Sequence, residues 1–184
     1  MQMLWEDVKA SEEKPPVRHP NRDLPESHTA RLGVTALLLL SVAMLLIVAL
    51  GGWSLLVGAK IPILVFAIIY AGFAYFIWEW RRGMLPVIAA IAVILGIFAL
   101  VAGPDWFARD KVGYTDPTLP SALLGVVTLG LIPVQMLLIV VSMWGFSQKW
   151  NVEEEIHPDE PDWPADRVKP TAAQQAAAAP VPAR

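Results

Sequence analysis

The chain has 184 residues, 55% of them hydrophobic and 17% charged, with a formal net charge of −3 and no cysteine. The missing cysteines exclude disulfides, thiolate metal sites and thiol catalysis, and with acids in excess no basic face for nucleic acid exists. The apolar residues gather in blocks that are apolar on every side, the pattern of helices solvated by lipid.

In chain order, residues 1–31 form an N-terminal tail. Met1, Leu4, Trp5 and Val8 recur at helical spacing, so either a frayed terminus or a short amphipathic helix with one apolar stripe is expected there. Its other face carries Glu6, Asp7 and Lys9, a composition that suits docking to a protein partner better than an anionic lipid surface. Residues 11–21, with Pro15, Pro16 and Pro20, read as an extended linker.

Four gaps between charged residues follow, from Arg31 to Lys60, Lys60 to Glu79, Arg82 to Asp105 and Asp116 to Lys149. A spanning helix needs about 20 apolar residues, and even the shortest gap, residues 61–78, is close to that length. The predicted spans are Leu32–Val57, Ile61–Trp80, Met84–Gly103 and Ser121–Phe146. Pro62, Pro86 and Pro120 stand in or just before a first turn, where a missing N–H costs nothing. A mixed-charge tail before the first span and the length of that span speak against a cleaved signal peptide. The predicted fold is an all-α integral membrane protein of four transmembrane helices in two antiparallel hairpins with disordered tails.

Lys and Arg are distributed unevenly about these spans. The N-terminal tail, the turn at Arg81 and Arg82, and the C-terminal tail carry eleven against Lys60, Arg109 and Lys111 on the other side. The positive-inside rule then places both termini in the cytoplasm and residues 104–120 in an external loop. Trp53, Trp78, Trp80, Trp106 and Trp144 lie near span ends, where indoles favour the interface. In the loop, Asp105, Asp110 and Asp116 match no calcium-loop spacing. Asp105 is expected to cap a short interfacial helix beginning at Trp106, with Arg109 as its snorkelling cation.

Residues 149–184 form an acidic, then Ala- and Pro-rich tail. Its acids from Glu153 to Asp162, with Ile156 and Trp163 among them, could attach to a basic partner; after Thr171 the composition reads as disordered.

The spans carry little chemistry. His19, His28 and His157 all lie outside them, so no histidine is available as a haem ligand inside the bilayer. No cofactor or metal is expected, and His28 reads as a surface histidine. Gln135 is the amide of the fourth span, two residues after Pro133, which should kink the helix and free the carbonyl of Leu129. The pair either forms a small polar pocket or, more simply, bonds across to a neighbouring helix. Tyr70 and Tyr75 read as packing residues. Arg81 and Arg82 are candidate contacts for a lipid phosphate or an acidic partner, or else simple topology determinants with Glu79 as a local ion partner.

Ala89, Ala92, Gly96, Ala99 and Gly103 repeat at alternating spacings of three and four along the third span. Such a seam lets a second helix approach closely, whether from the same chain, where Ala67, Ala71 and Ala74 offer a shorter seam, or from another subunit. The expected function is a non-catalytic accessory or scaffold subunit of a larger membrane complex, such as a bioenergetic one, binding other membrane subunits and lipids. The alternative is a homo-oligomeric small-solute transporter or channel with Pro133 and Gln135 along its path.

Overall fold

The computed structural model describes residues 17–109, 117–156 and 161. The expected helix at Met1–Val8, the loop acids Asp110 and Asp116, and the tail beyond Thr171 lie outside them. The chain divides into two units, residues 21–152 and the two tails, 1–20 with 153–184. In the tail unit, Val17–Arg18 (β1) pairs antiparallel with Glu154–Glu155 (β2), and Arg18 reaches the Glu154 carboxylate at 3.1 Å. The N-terminal linker and the acidic stretch therefore meet, which neither sequence segment announces.

The larger unit holds four helices long and apolar enough to cross a membrane: α1 (Pro25–Gly51), α2 (Lys60–Trp78), α3 (Met84–Ala108) and α4 (Ser121–Ser147). Lipid offers a peptide group no hydrogen-bond partner, so each apolar run satisfies its own backbone as a helix. The helices pair as two antiparallel hairpins, α1 with α2 and α3 with α4, and α1 packs against α4 to join them. Helices α2 and α3, although joined by a tight turn, have few direct contacts. The end of the unit holding that turn, Asn21 and Val152 is called the tail end, and the opposite end the loop end.

Two boundaries differ from expectation for local reasons. Helix α1 begins at Pro25 rather than Leu32. Proline at the first helical position presets the backbone angle, Glu26 complements the helix dipole, and the Thr29 hydroxyl donates to the Pro25 carbonyl at 2.8 Å. The helix simply continues past the apolar stretch. It stops at Gly51 rather than Val57, because consecutive glycines weaken the helix. The N–H groups of Leu55 and Leu56 then turn back onto the Gly52 carbonyl.

Helix α3 runs through Pro104 to Ala108 and does not end at Gly103. Asp105 and Trp106 belong to it, so no separate interfacial helix starts there. Buried Trp106 and the ring of Phe107, seated on Gly125, hold this last stretch of helix in place.

Buried positions on α1, α3 and α4 recur mostly at spacings of three or four. Val34, Leu38, Ser41 and Leu45 on α1 face Leu131, Gln135, Leu138 and Ser142 on α4. The seam of α3 lies against α4 within this chain and not against α2. A Cβ added at Gly103 would lie 2.7 Å from Leu129 Cγ, and one at Gly125 would lie 2.7 Å from Phe107 Cε2. Each glycine thus receives a bulky side chain of the partner helix. At Gly96 an added Cβ meets only Gln135 Cβ, at 3.7 Å, an ordinary contact. On α2 the buried face is Ala67, Tyr70, Ala74 and Ile77, while Ala71 is exposed.

These distances order the glycines. Replacing Gly103 by Leu should lower the stability of the purified chain by about 1–3 kcal/mol, the usual cost of overpacking. Gly96→Ala and the lipid-facing Ile94→Leu should leave the thermal midpoint nearly unchanged. Thermal unfolding of the three variants in mild detergent checks the order, and a midpoint for Gly103→Leu equal to that of Gly96→Ala contradicts the packing scheme.

Candidate functional site

Polar chemistry in the larger unit gathers at mid-bundle and at the tail end. At mid-bundle the antiparallel register sets Gln135 of α4 beside Gly96 of α3, where the missing side chain leaves space. Gln135 is almost completely buried, at 1% exposure. Its amide oxygen accepts the Tyr70 hydroxyl of α2 at 2.7 Å, and its amide nitrogen donates to Ser41 Oγ of α1 at 3.0 Å. Ser41 in turn donates to the carbonyl of Leu37, one turn back on its own helix, at 2.8 Å. A chain of hydrogen bonds thus joins three helices.

An unsatisfied amide in lipid costs several kcal/mol, so this arrangement is first of all a clamp. It selects one register for α1, α2 and α4 together, because sliding any helix by one turn breaks a bond. Helix α4 continues unbroken through Pro133, and the Leu129 side chain, one turn away, is the one seated on Gly103. Of the two roles open to Gln135 from sequence, the geometry displays the cross-helix bond. Tyr70 does more than pack, since its hydroxyl holds one end of the chain.

At the tail end, Trp80 is the hub. It follows α2 in the left-handed conformation, with φ of 60°, as the C′ residue of a Schellman turn. The Trp80 N–H donates to the Ile77 carbonyl and the Arg81 N–H to the Phe76 carbonyl, each at 3.0 Å. Glycine is the usual occupant of such a position, and a side chain there costs about 1–2 kcal/mol. The indole offsets that cost through its neighbours. Trp150, fully buried, and His28 meet it edge-on, with ring centroids 5.5 and 5.2 Å away.

The Arg31 guanidinium stacks over both Trp78 and Trp80, 4.2 and 4.4 Å from their ring centroids. Such contacts bind a cation firmly where water is partly excluded. Arg31 forms no ion pair among the described residues, and its Nε is buried without a hydrogen-bond partner. Sequence reasoning treated Arg31 only as the edge of the first span. The signal for it was Trp78 and Trp80, two indoles at the end of a neighbouring hairpin helix.

The candidate arginines divide. Arg82 is a structural clamp: its Nε donates to the Phe146 carbonyl at 2.8 Å, Nη1 donates to the Asn151 side chain at 2.9 Å, and its guanidinium covers the Phe146 ring. It thereby caps the carbonyl end of α4. Arg81 is exposed, and Glu79 pairs with neither arginine among the described residues. Arg22 and Asn21 add further donors to the carbonyls of Trp150 and Lys149, tying the segment before α1 to the segment after α4.

No family model matches this chain, and no curated protein or solved structure is similar to it.

The mid-bundle clamp can be measured. Tyr70→Phe leaves the buried Gln135 oxygen without its donor and should destabilise the chain by about 1–3 kcal/mol. Combining it with Gln135→Leu should cost less than the sum of the two single changes, because two apolar partners leave nothing unsatisfied. Thermal unfolding of the four proteins gives the coupling, and strict additivity would show that the two side chains do not depend on each other.

Proposed function

We propose that this chain is a non-catalytic accessory or scaffold subunit of a larger complex in the cell membrane, with both tails cytoplasmic. The observation that carries the reading is the pairing of the tails. Val17–Arg18 and Glu154–Glu155 gather two remote segments into one ladder. A two-stranded ladder this short is marginal by itself, and an added strand from a partner stabilises it through main-chain hydrogen bonds. Pairing between the two tails also requires them to lie on one side of the membrane. The excess of Lys and Arg around Arg22, Arg31, Arg81 and Lys149 favours the cytoplasm as that side.

The membrane interior supports the same reading. Gln135 is held at both ends of its amide by Tyr70 and Ser41, so the group best suited to line a solute path serves helix packing. Nothing in its geometry favours the transporter reading.

Arg18→Glu replaces the ion pair with Glu154 by a like-charge contact and should open the ladder while leaving the four spans inserted. In a gentle-detergent purification, the unaltered chain should bring stoichiometric foreign subunits and Arg18→Glu should lose them. Recovery of a homo-oligomer alone, which conducts a solute in liposomes, would replace this proposal by the transporter.

Orientation is tested separately. Reporters fused after Arg82 or at the C-terminus should read cytoplasmic, and one inserted near Lys111 external. The opposite pattern would invert the chain in the membrane.

A further inference from the structure

Helices α2 and α3 enclose a cavity of about 370 Å³ toward the loop end, with α1 and α4 behind it. Ile63 and Phe66 of α2 line it, together with Phe98, Ala102 and Trp106 of α3 and Leu131 of α4. Phe66 and Phe98 meet edge to face across the gap, 5.8 Å between ring centroids. Thr128 also lines it, but its hydroxyl proton is committed to the Leu124 carbonyl at 2.7 Å. Water would find almost no hydrogen-bond partner in such a space. The space therefore suits an apolar occupant from the bilayer.

Two cations stand at the loop end of this cavity. Lys60 adjoins the lining residue Ala59, and its ammonium lies 4.7 Å from the centre of the Trp53 ring. The Arg109 guanidinium lies 5.4 Å from the centre of the Trp106 ring, which is itself part of the lining. Gly52, the residue before Trp53, is pressed onto the Trp106 ring. Neither cation forms an ion pair among the described residues.

We infer that the cavity holds one acyl chain of an anionic phospholipid whose phosphate rests between Lys60 and Arg109. The apolar volume recognises the chain, and the two cations select the headgroup. The two cations favour this occupant over a partner's transmembrane helix, whose apolar surface would leave both charges without a counter-anion. The inference is independent of the proposed scaffold role, and it uses neither the tails nor Arg81.

Native mass spectrometry of the full chain, purified in mild detergent and offered phosphatidylglycerol or phosphatidylcholine, tests it. The unaltered chain should retain phosphatidylglycerol in preference. Each of Lys60→Gln and Arg109→Gln should reduce that preference by about fivefold, as removing one cation from an anionic surface does. Ala102→Phe, placed on the cavity wall, should abolish retention of both lipids. Gly58→Leu serves as a second filler, because a Cβ there meets no atom within 4 Å and the fold has room for it. Equal retention of the two lipids by the unaltered chain overturns the inference, as does undiminished phosphatidylglycerol on both filled variants. Loss of a protein subunit from the filled variants with lipid retention unchanged overturns it too, and makes the cavity a helix-docking groove.

Discussion

Inside a bilayer, two helices gain nothing from hiding apolar surface from each other, so close approach and hydrogen bonding must hold them together. In this bundle the closest approach is between α3 and α4, where Leu129 enters the space above Gly103 and Phe107 the space above Gly125. These reciprocal insertions leave little freedom to slide. They fix which residue of α4 lies opposite Gly96, and that residue is Gln135. With its amide committed to the bundle interior, α1 and α2 are placed by the partners they supply, Ser41 and Tyr70.

The same interlock explains why the two ends of the helical unit differ. Helix α3 is drawn toward α4, while α2 leans on α1, and the two helices that are neighbours in sequence share little surface. At the tail end the tight turn keeps them together, and Trp80 is retained in a strained backbone conformation because its ring meets Trp150, His28 and Arg31. At the loop end no such hub exists among the described residues. The Phe66–Phe98 contact bridges the gap, and the remaining space is the apolar cavity. Packing at one end and ligand space at the other thus share one cause.

Charges follow this division of labour. Arg82 and Arg22 donate to carbonyls at the end of α4 and the segment beyond it, and so serve the fold. Arg31, Lys60 and Arg109 rest on indole faces and make no ion pair among the described residues. A cation held on an aromatic face keeps its charge available to an outside anion, since the ring quadrupole satisfies it without neutralising it. These three residues, more than the exposed Arg81, mark where the helical unit presents positive charge in a fixed geometry.

The sequence by itself determined the number of spans, because the hydrocarbon core sets one length for every helix and charges are costly within it. It determined the small-residue seam on α3, since Ala89, Ala92, Gly96, Ala99 and Gly103 are close-packing residues whatever they meet. Helix ends were legible only in part: hydropathy reports where lipid begins, whereas Pro25, Gly51 and the continuation through Pro104 to Ala108 depend on local backbone chemistry and on packing against α4. The partner of the seam was a tertiary decision. Ala67, Ala71 and Ala74 on the adjacent helix looked as suitable as α4, but only α4 supplies Leu129 and Gly125 at matching heights. The clamp of Gln135 with Tyr70 and Ser41, the Arg31 site on Trp78 and Trp80, and the cavity between α2 and α3 were likewise invisible in the sequence. Each joins residues from different helices, and how those helices are rotated and staggered is fixed by side-chain interlock, which hydropathy and spacing do not encode.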